Sequence, residues 1–311
     1  MEKKKIVLAL GGGGLKGYAH IGVISALEDL GYEIAGIAGT SAGGVFGSFY
    51  AYGYSIIEIL SFIHEIDKTK LFQRLPTDAP SLIGLKGLYQ ILDEKFGDKT
   101  LDQLKIPFAT TAVDIKTNRE IFMDCGKLSD AVKATSAMPG VFPYVDKYDL
   151  TLVDGGVYDP VPVNLARWIV HEHPIMAVSL SPEKEKAQVL SNLQIPAISP
   201  IPSSVVQYFA NMRLGKALDT FLVSLDVMQM IMTDMQLQLT QPEITLFPDT
   251  SKYYYIDDVD PDELIDNGRK SVESARDAIQ EVFNNFQPKP AKKTGLLLSE
   301  WLAGNDQRSV K

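Results

Sequence analysis

The chain of 311 residues is 45% hydrophobic and 22% charged, long enough to bury roughly three quarters of its unfolded surface in one large domain or two small ones. Its single cysteine, Cys125, excludes an intramolecular disulfide framework and a cysteine-rich zinc site. Thirty basic against 39 acidic residues leave a net charge of -9 and a pI near 5.0, a field that repels nucleic acid, and no run of about 18 apolar residues is present to cross a bilayer as a helix.

In chain order, Met1 to Lys5 precedes only five apolar residues, Ile6 to Leu10, before glycines interrupt. That is short for a secretory leader, and it reads as the first buried strand of a cytoplasmic protein. Gly11-Gly-Gly-Gly-Leu-Lys-Gly17 follows, then a helical pattern from Tyr18 to Leu30 with Ile21, Ile24 and Leu27 on one face. A phosphate-binding P-loop needs Lys and Ser/Thr directly after the last glycine, where this chain has Tyr18 and Ala19. A dinucleotide site wants an acidic residue at the end of the second strand. The reading that fits best makes the glycine N-H groups converge on an oxyanion.

The second strand starts at Ile34 and runs into Gly39-Thr40-Ser41-Ala42-Gly43, a G-x-S-x-G turn with a helix from about Gly44 to Tyr52. Small neighbours allow Ser41 a strained apex conformation, and the helix N-terminus behind it favours developing negative charge. The bland alternative is a Gly/Ser-rich loop of the kind any α/β protein contains. Ile56, Ile59, Leu60 and Ile63 mark an amphipathic helix from Ser55 to Asp67. Between Lys70 and Pro107, turns surround a short helix at Leu88 to Phe96, an arrangement that suits a cap beside a site. Phe108–Asp114 and Arg119–Asp124 read as a hairpin in which Asn118 takes a positive φ. A short helix from Leu128 to Ser136 stops at Met138-Pro139-Gly140.

Leu150-Thr-Leu-Val-Asp154 is another buried strand, opening into Gly155-Gly156. Asp154 either caps that turn or serves as a catalytic base at the same sheet edge as Ser41. A Ser-Asp-His triad would need His171 or His173, which sit in a polar link before the strand Ile175–Leu180, while His20 and His64 read as packing or surface residues. The residues therefore favour a serine activated directly by aspartate.

Four blocks in order, Gly11-Gly-Gly-Gly-Leu-Lys-Gly-Tyr-Ala-His-Ile-Gly-Val, Gly39-Thr-Ser-Ala-Gly, Thr135-Ser-Ala-Met-Pro-Gly-Val-Phe-Pro and Asp154-Gly-Gly, resemble the patatin-like phospholipases, in the bacterial branch related to neuropathy target esterase. The resemblance implies a three-layer α/β/α fold with a mostly parallel central sheet. It further implies a dyad of Ser41 as nucleophile and Asp154 as base, with Gly12, Gly13 and Gly14 as oxyanion donors. Ala42 is expected to add its N-H, and Gly17, Gly39, Gly43, Gly155 and Gly156 to shape the loops. Lys16 stands where many members have arginine, and Asp159 where many have asparagine. The reaction implied is hydrolysis of a lipid acyl ester through an acyl-enzyme, with no metal or organic cofactor. An acyltransferase on the same dyad and a non-catalytic interaction protein on the same fold are the alternatives.

The catalytic domain is expected over residues 1–287. Pro182 to Pro202 reads as a polar connection, and Ser203 to Leu239 as one or two helices rich in methionine, five of the nine falling between Met212 and Met235. This apolar stripe is plain core, an acyl-pocket lining, or a surface for a membrane or a second copy of the chain. Ile244–Phe247 reads as a short strand, and a helix capped by Asp260 turns Leu264, Val272, Ala275, Ile279, Val282 and Phe286 inward. Residues 288–311 are a linker and a tail, Leu296 to Leu302, expected to dock on its own domain, a neighbour or a lipid surface.

Overall fold

The computed structural model of the chain describes residues 4–66, 68–181, 213–253 and 259–306, with the backbone alone at 68–69, 213–219, 222 and 305–306. The expected connection at 182–202, the start of the Met-rich helix at 203–212 with Met212, and the side chains of Leu218 and Leu222 lie outside the described residues.

Strand β1 (Lys5–Leu10) lies between β2 (Glu33–Gly39) and β7 (Ile175–Val178), parallel to both. The sheet continues in parallel to β8 (Ile244–Leu246) beyond β7 and to β3 (Phe108–Asp114) beyond β2. β4 (Arg119–Met123) returns antiparallel along β3 through the expected hairpin, where Asn118 has φ 55°. Alternation divides the strand residues between two cores. Ile6, Leu8 and Leu10 face α1 (Tyr18–Asp29), α2 (Ala42–Tyr52) and α6 (Leu128–Thr135), whereas Val7 and Ala9 face α7 (Val163–Ile169). The result is a three-layer α/β/α fold with a mostly parallel sheet. A bulge at Ala35 shifts the β1–β2 register, pairing Ile6 with Ile34 but Val7 with Gly36. Ile34 and Ile37 can therefore face the same core although three residues apart.

The relation of β2 to β6 (Leu150–Asp154) positions the site. Thr110 pairs with Gly39 on one edge of β3 and with Met123 on the other; Ala112 pairs with Ile121 of β4 and, opposite it, with Asp154. β2 and β6 thus occupy the same edge of β3 and run toward each other, so that their C-terminal ends meet across Thr111. β5 (Val145–Lys147) extends β6.

Helices α3 (Ile56–Glu65), α4 (Lys68–Leu71) and α5 (Lys86–Phe96) gather beyond α2. The long helix α8 (Arg213–Thr240) packs Leu237 on the α7 side. The single helix expected after Asp260 is two, α9 (Pro261–Ser274) and α10 (Arg276–Asn285), because Ala275 leaves helical geometry at φ -95°, ψ 5°. The tail docks on its own domain. β9 (Leu296–Leu297) pairs in parallel with Ile121 and Phe122 of β4, and α11 (Leu298–Asp306) follows, its Trp301 Nε1 donating to Tyr148 O at 2.9 Å.

Candidate active site

Ser41 sits between β2 and α2 with φ 50° and ψ -119°, a conformation that costs a residue with a side chain about 1–3 kcal/mol and persists only where its surroundings enforce it. Those surroundings are identifiable. Ser41 N-H donates to Thr135 Oγ1 at 2.9 Å, Thr40 N-H to Leu10 O at 3.0 Å, and Thr40 Oγ1-H to Asp159 O at 2.9 Å. At Gly43 an added Cβ would lie 2.0 Å from Leu10 O, so only glycine lets α2 start this close to β1. Gly39 and Gly17 admit α2 equally tightly, against the end of β2 and the end of the glycine loop.

Asp154, at the end of β6, is 2% exposed. Its Oδ1 accepts the Gly156 N-H at 2.7 Å. Burial pushes its pKa up to about 6, against the opposing pull of the nearby Ser41 hydroxyl and of the Gly156 N-H. Its own N-H donates to Ala137 O at 2.9 Å. A Cβ on Gly155 would strike Thr111 Oγ1 at 1.7 Å, so glycine is required where the base's turn crosses β3.

The glycine loop lies against Ser41: a Cβ built on Gly12 would be 3.3 Å from Ser41 Cβ. Gly12 itself donates its N-H to Pro160 O at 3.0 Å, so that N-H ties the loop to the base's segment instead of standing open to a substrate oxygen. Gly14 opens a 3-10 turn and Ala42 opens α2, positions whose N-H groups have no acceptor within their own helix.

The histidines are elsewhere. His20 is fully buried on α1 with Nε2 2.8 Å from Gly11 O, and burial lowers its pKa to about 4. A neutral His20 therefore props the glycine loop from behind. His64 and His171 are exposed beside Asp262 and Glu172. Among the described residues, no three or more His, Cys, Asp or Glu side chains gather in a way that could hold a metal ion.

Ser41, Ala42 and Gly14 form part of the wall of a cavity of about 510 Å³ lined mainly by apolar side chains, among them Val45, Phe46 and Phe49 of α2, Phe62 and Ile63 of α3, and Ile91 of α5, with Glu65, Lys70, Glu94 and Lys95 also on its wall. The segment that read as a cap is thus the far wall of this cavity. The Met-rich helix is not: no described residue of α8 lines it. Instead Gln229 of α8 lies over the base, its Nε2 3.0 Å from where a Cβ of Gly156 would be, and Gln236 Nε2 donates to Tyr158 O at 3.3 Å. The methionine stripe is not plain core either, since Met228, Ile231, Met235 and Leu239 are each more than half exposed. Thr135, the acceptor for Ser41 N-H, received no role from the sequence beyond its place in one of the four blocks.

The patatin-like phospholipase family model matches residues 8–167. An NTE family protein of Mycobacterium bovis is 36% identical over 162 residues, covering 51% of this chain and 44% of that protein. Lysophospholipase NTE1 of Yarrowia lipolytica is 29% identical over 169 residues, 53% of this chain and 12% of that protein. The matches therefore span less than half of these relatives' own lengths. In fold, the chain is similar to VipD from Legionella pneumophila, with a TM-score of 0.52, 13% identity, and coverage of 89% of this chain and 67% of that one.

Proposed function

The chain belongs to the patatin-like phospholipase family, and we propose that it is a serine lipid acyl hydrolase working through Ser41 and Asp154. The observation that carries this reading is a strained, half-buried serine at the wall of a mainly apolar cavity, its hydroxyl close enough to a buried carboxylate to lower that carboxylate's pKa. Both parts are needed. The first supplies a nucleophile with its proton acceptor in place, and the second suits the hydrocarbon of an acyl ester.

In this mechanism the acyl chain occupies the cavity and its carbonyl carbon lies at Ser41 Oγ. Oγ attacks as its proton passes to Asp154, and the N-H groups of Gly13, Gly14 and Ala42 hold the oxyanion. The C–O bond to the alcohol breaks, and the alcohol leaves with the proton held by Asp154. Water then attacks the acyl-enzyme, again giving a proton to Asp154, and Ser41 recovers its hydrogen as the fatty acid departs. Burial keeps Asp154 a stronger base than an ordinary aspartate, which suits it to proton transfer near neutral pH.

The test is hydrolysis of a p-nitrophenyl ester and of a phospholipid by the wild type, Ser41→Ala and Asp154→Asn. Turnover by the wild type with loss of at least about 10³-fold in both folded variants is expected. An inert wild type, or an Asp154→Asn that keeps its rate, would overturn the reading.

A further inference from the structure

Two acidic side chains outside the dyad are buried together behind it. Alternation along β4 puts Glu120 on the same face as Phe122, whose ring packs in the α7-side core with Val161. Asp159 reaches that core from the turn between Asp154 and α7. Glu120 is 5% exposed and Asp159 2%. Each keeps one oxygen without a hydrogen-bond partner, Oε1 of Glu120 and Oδ1 of Asp159. Their remaining neighbours are neutral: Thr294 Oγ1 donates to Glu120 Oε2 at 3.4 Å, and the Val161 N-H lies near enough to Asp159 to act on its pKa.

No cation faces either carboxyl among the described residues. The charged group acting on Asp159 is Glu120, reaching it from β4; the tail contributes Thr294, and the nucleophile turn and glycine loop contribute neutral groups. Arg167 of α7 is turned onto Thr240 O, Gln241 O and Glu243. Two carboxylates buried on one side of the sheet, each with an unpartnered oxygen and no cation facing it, are strongly disfavoured from both being ionised. Burial pushes Glu120 up to about 7, and burial with the repulsion of Glu120 raises Asp159 well above the ordinary carboxylate range.

The backbone around Asp159 joins the parts of the site. Its carbonyl takes the Thr40 hydroxyl, its N-H bonds Gly155 O at 2.9 Å, and the next carbonyl, Pro160 O, takes the Gly12 N-H. We propose that Glu120 and Asp159 share a proton between their orphaned oxygens, and that this neutralised pair is a positioning element holding segment 155–161 against the nucleophile turn and the glycine loop. An asparagine at position 159 would offer an N-H to Glu120 directly; an aspartate does the same work only while the pair holds its proton.

The experiment is thermal unfolding across pH 5 to 9 for the wild type, Glu120→Gln and Asp159→Asn, each also in a Ser41→Ala background, with ester hydrolysis followed over the same range. The folded pair keeps a proton that the unfolded chain releases above pH about 4, so its contribution to stability falls as pH rises from there through the raised titration range of the two carboxyls. Either amide replaces the shared proton with a permanent N-H donor. The Tm of each variant minus that of the wild type should therefore grow with pH and then level, and any loss of wild-type hydrolysis above neutrality should be reduced in Asp159→Asn. Parallel Tm curves, or variants less stable by the same amount at every pH, would mean ordinary packing and overturn the pair. The stability arm decides this even if no ester is hydrolysed. Continued hydrolysis with parallel curves would sink the pair and leave the dyad standing.

Discussion

Asp154 donates its backbone N-H to Ala137 O, two residues beyond Thr135, whose hydroxyl receives the N-H of Ser41. One short stretch at the end of α6 therefore holds the backbone of both Ser41 and Asp154.

This makes Thr135→Val a sharp probe. The variant removes the acceptor of a part-buried N-H at a strained residue, at a cost of about 1 kcal/mol. A fall in kcat of at least about tenfold is expected, with Thr135→Ser restoring most of it. Equal rates in Thr135→Val and wild type would show that the turn holds Ser41 without help.

The pKa of Asp154, about 6, fixes two pH effects. As the base must be ionised, kcat/KM for a short-chain ester should rise tenfold per pH unit at low pH and level off above about 6. Because the folded pKa lies above the unfolded value, the folded state holds the proton more tightly, and Asp154 lowers stability progressively as pH rises from about 4 to about 6. Asp154→Asn removes that cost. It should be inactive yet more stable than wild type at pH 7, by on the order of 2–3 kcal/mol in chemical unfolding. A destabilised Asp154→Asn would mean that its hydrogen bonds matter more than its burial.

Chain length should read out the cavity. Each methylene buried contributes about 0.8 kcal/mol, close to fourfold in kcat/KM, until the space is full. Ile63→Trp, on the wall that α3 contributes, should move the break in an ester series to a shorter acyl chain while leaving the shortest esters unaffected. An unchanged series would place the acyl chain elsewhere.

Removing residues 296–306 should cost about 3–6 kcal/mol, from loss of the buried Leu297 and Leu298 alone. It also bares the β4 edge at Ile121 and Phe122, inviting association between copies. Thermal unfolding and light scattering test both effects, and an unchanged Tm in a monodisperse sample would refute them.

Much of this arrangement was legible in the residues. Unbroken apolar runs gave strands buried on both faces, glycines gave the turns, and Asn118 took its positive φ as expected. Ser41 and Asp154 were visible because polar residues ending apolar strands need a reason to be there. What escaped was set by contacts distant in sequence. β5 and β9 have three and two residues, too few for any periodicity, and exist because β6 and β4 offer edges. The period of α3 and α5 tells which side is inward, but not that the inward side faces a cavity. Gly12 could not be separated from Gly13 and Gly14 because only the fold brings Pro160 O to its N-H. Nothing in the sequence singled out Glu120, because its burial comes from neighbours distant in the chain.

The two-residue strand β9 also sets a timetable. It pairs with residues 121–122, and 172 residues of chain lie between Met123 and Leu296. At a translation speed of about 5–20 residues per second, β4 waits roughly 9 to 35 s for its partner to emerge. Throughout that interval the nascent protein presents Ile121 and Phe122 on an open edge, so its yield in cells should depend on what shields that strand during synthesis.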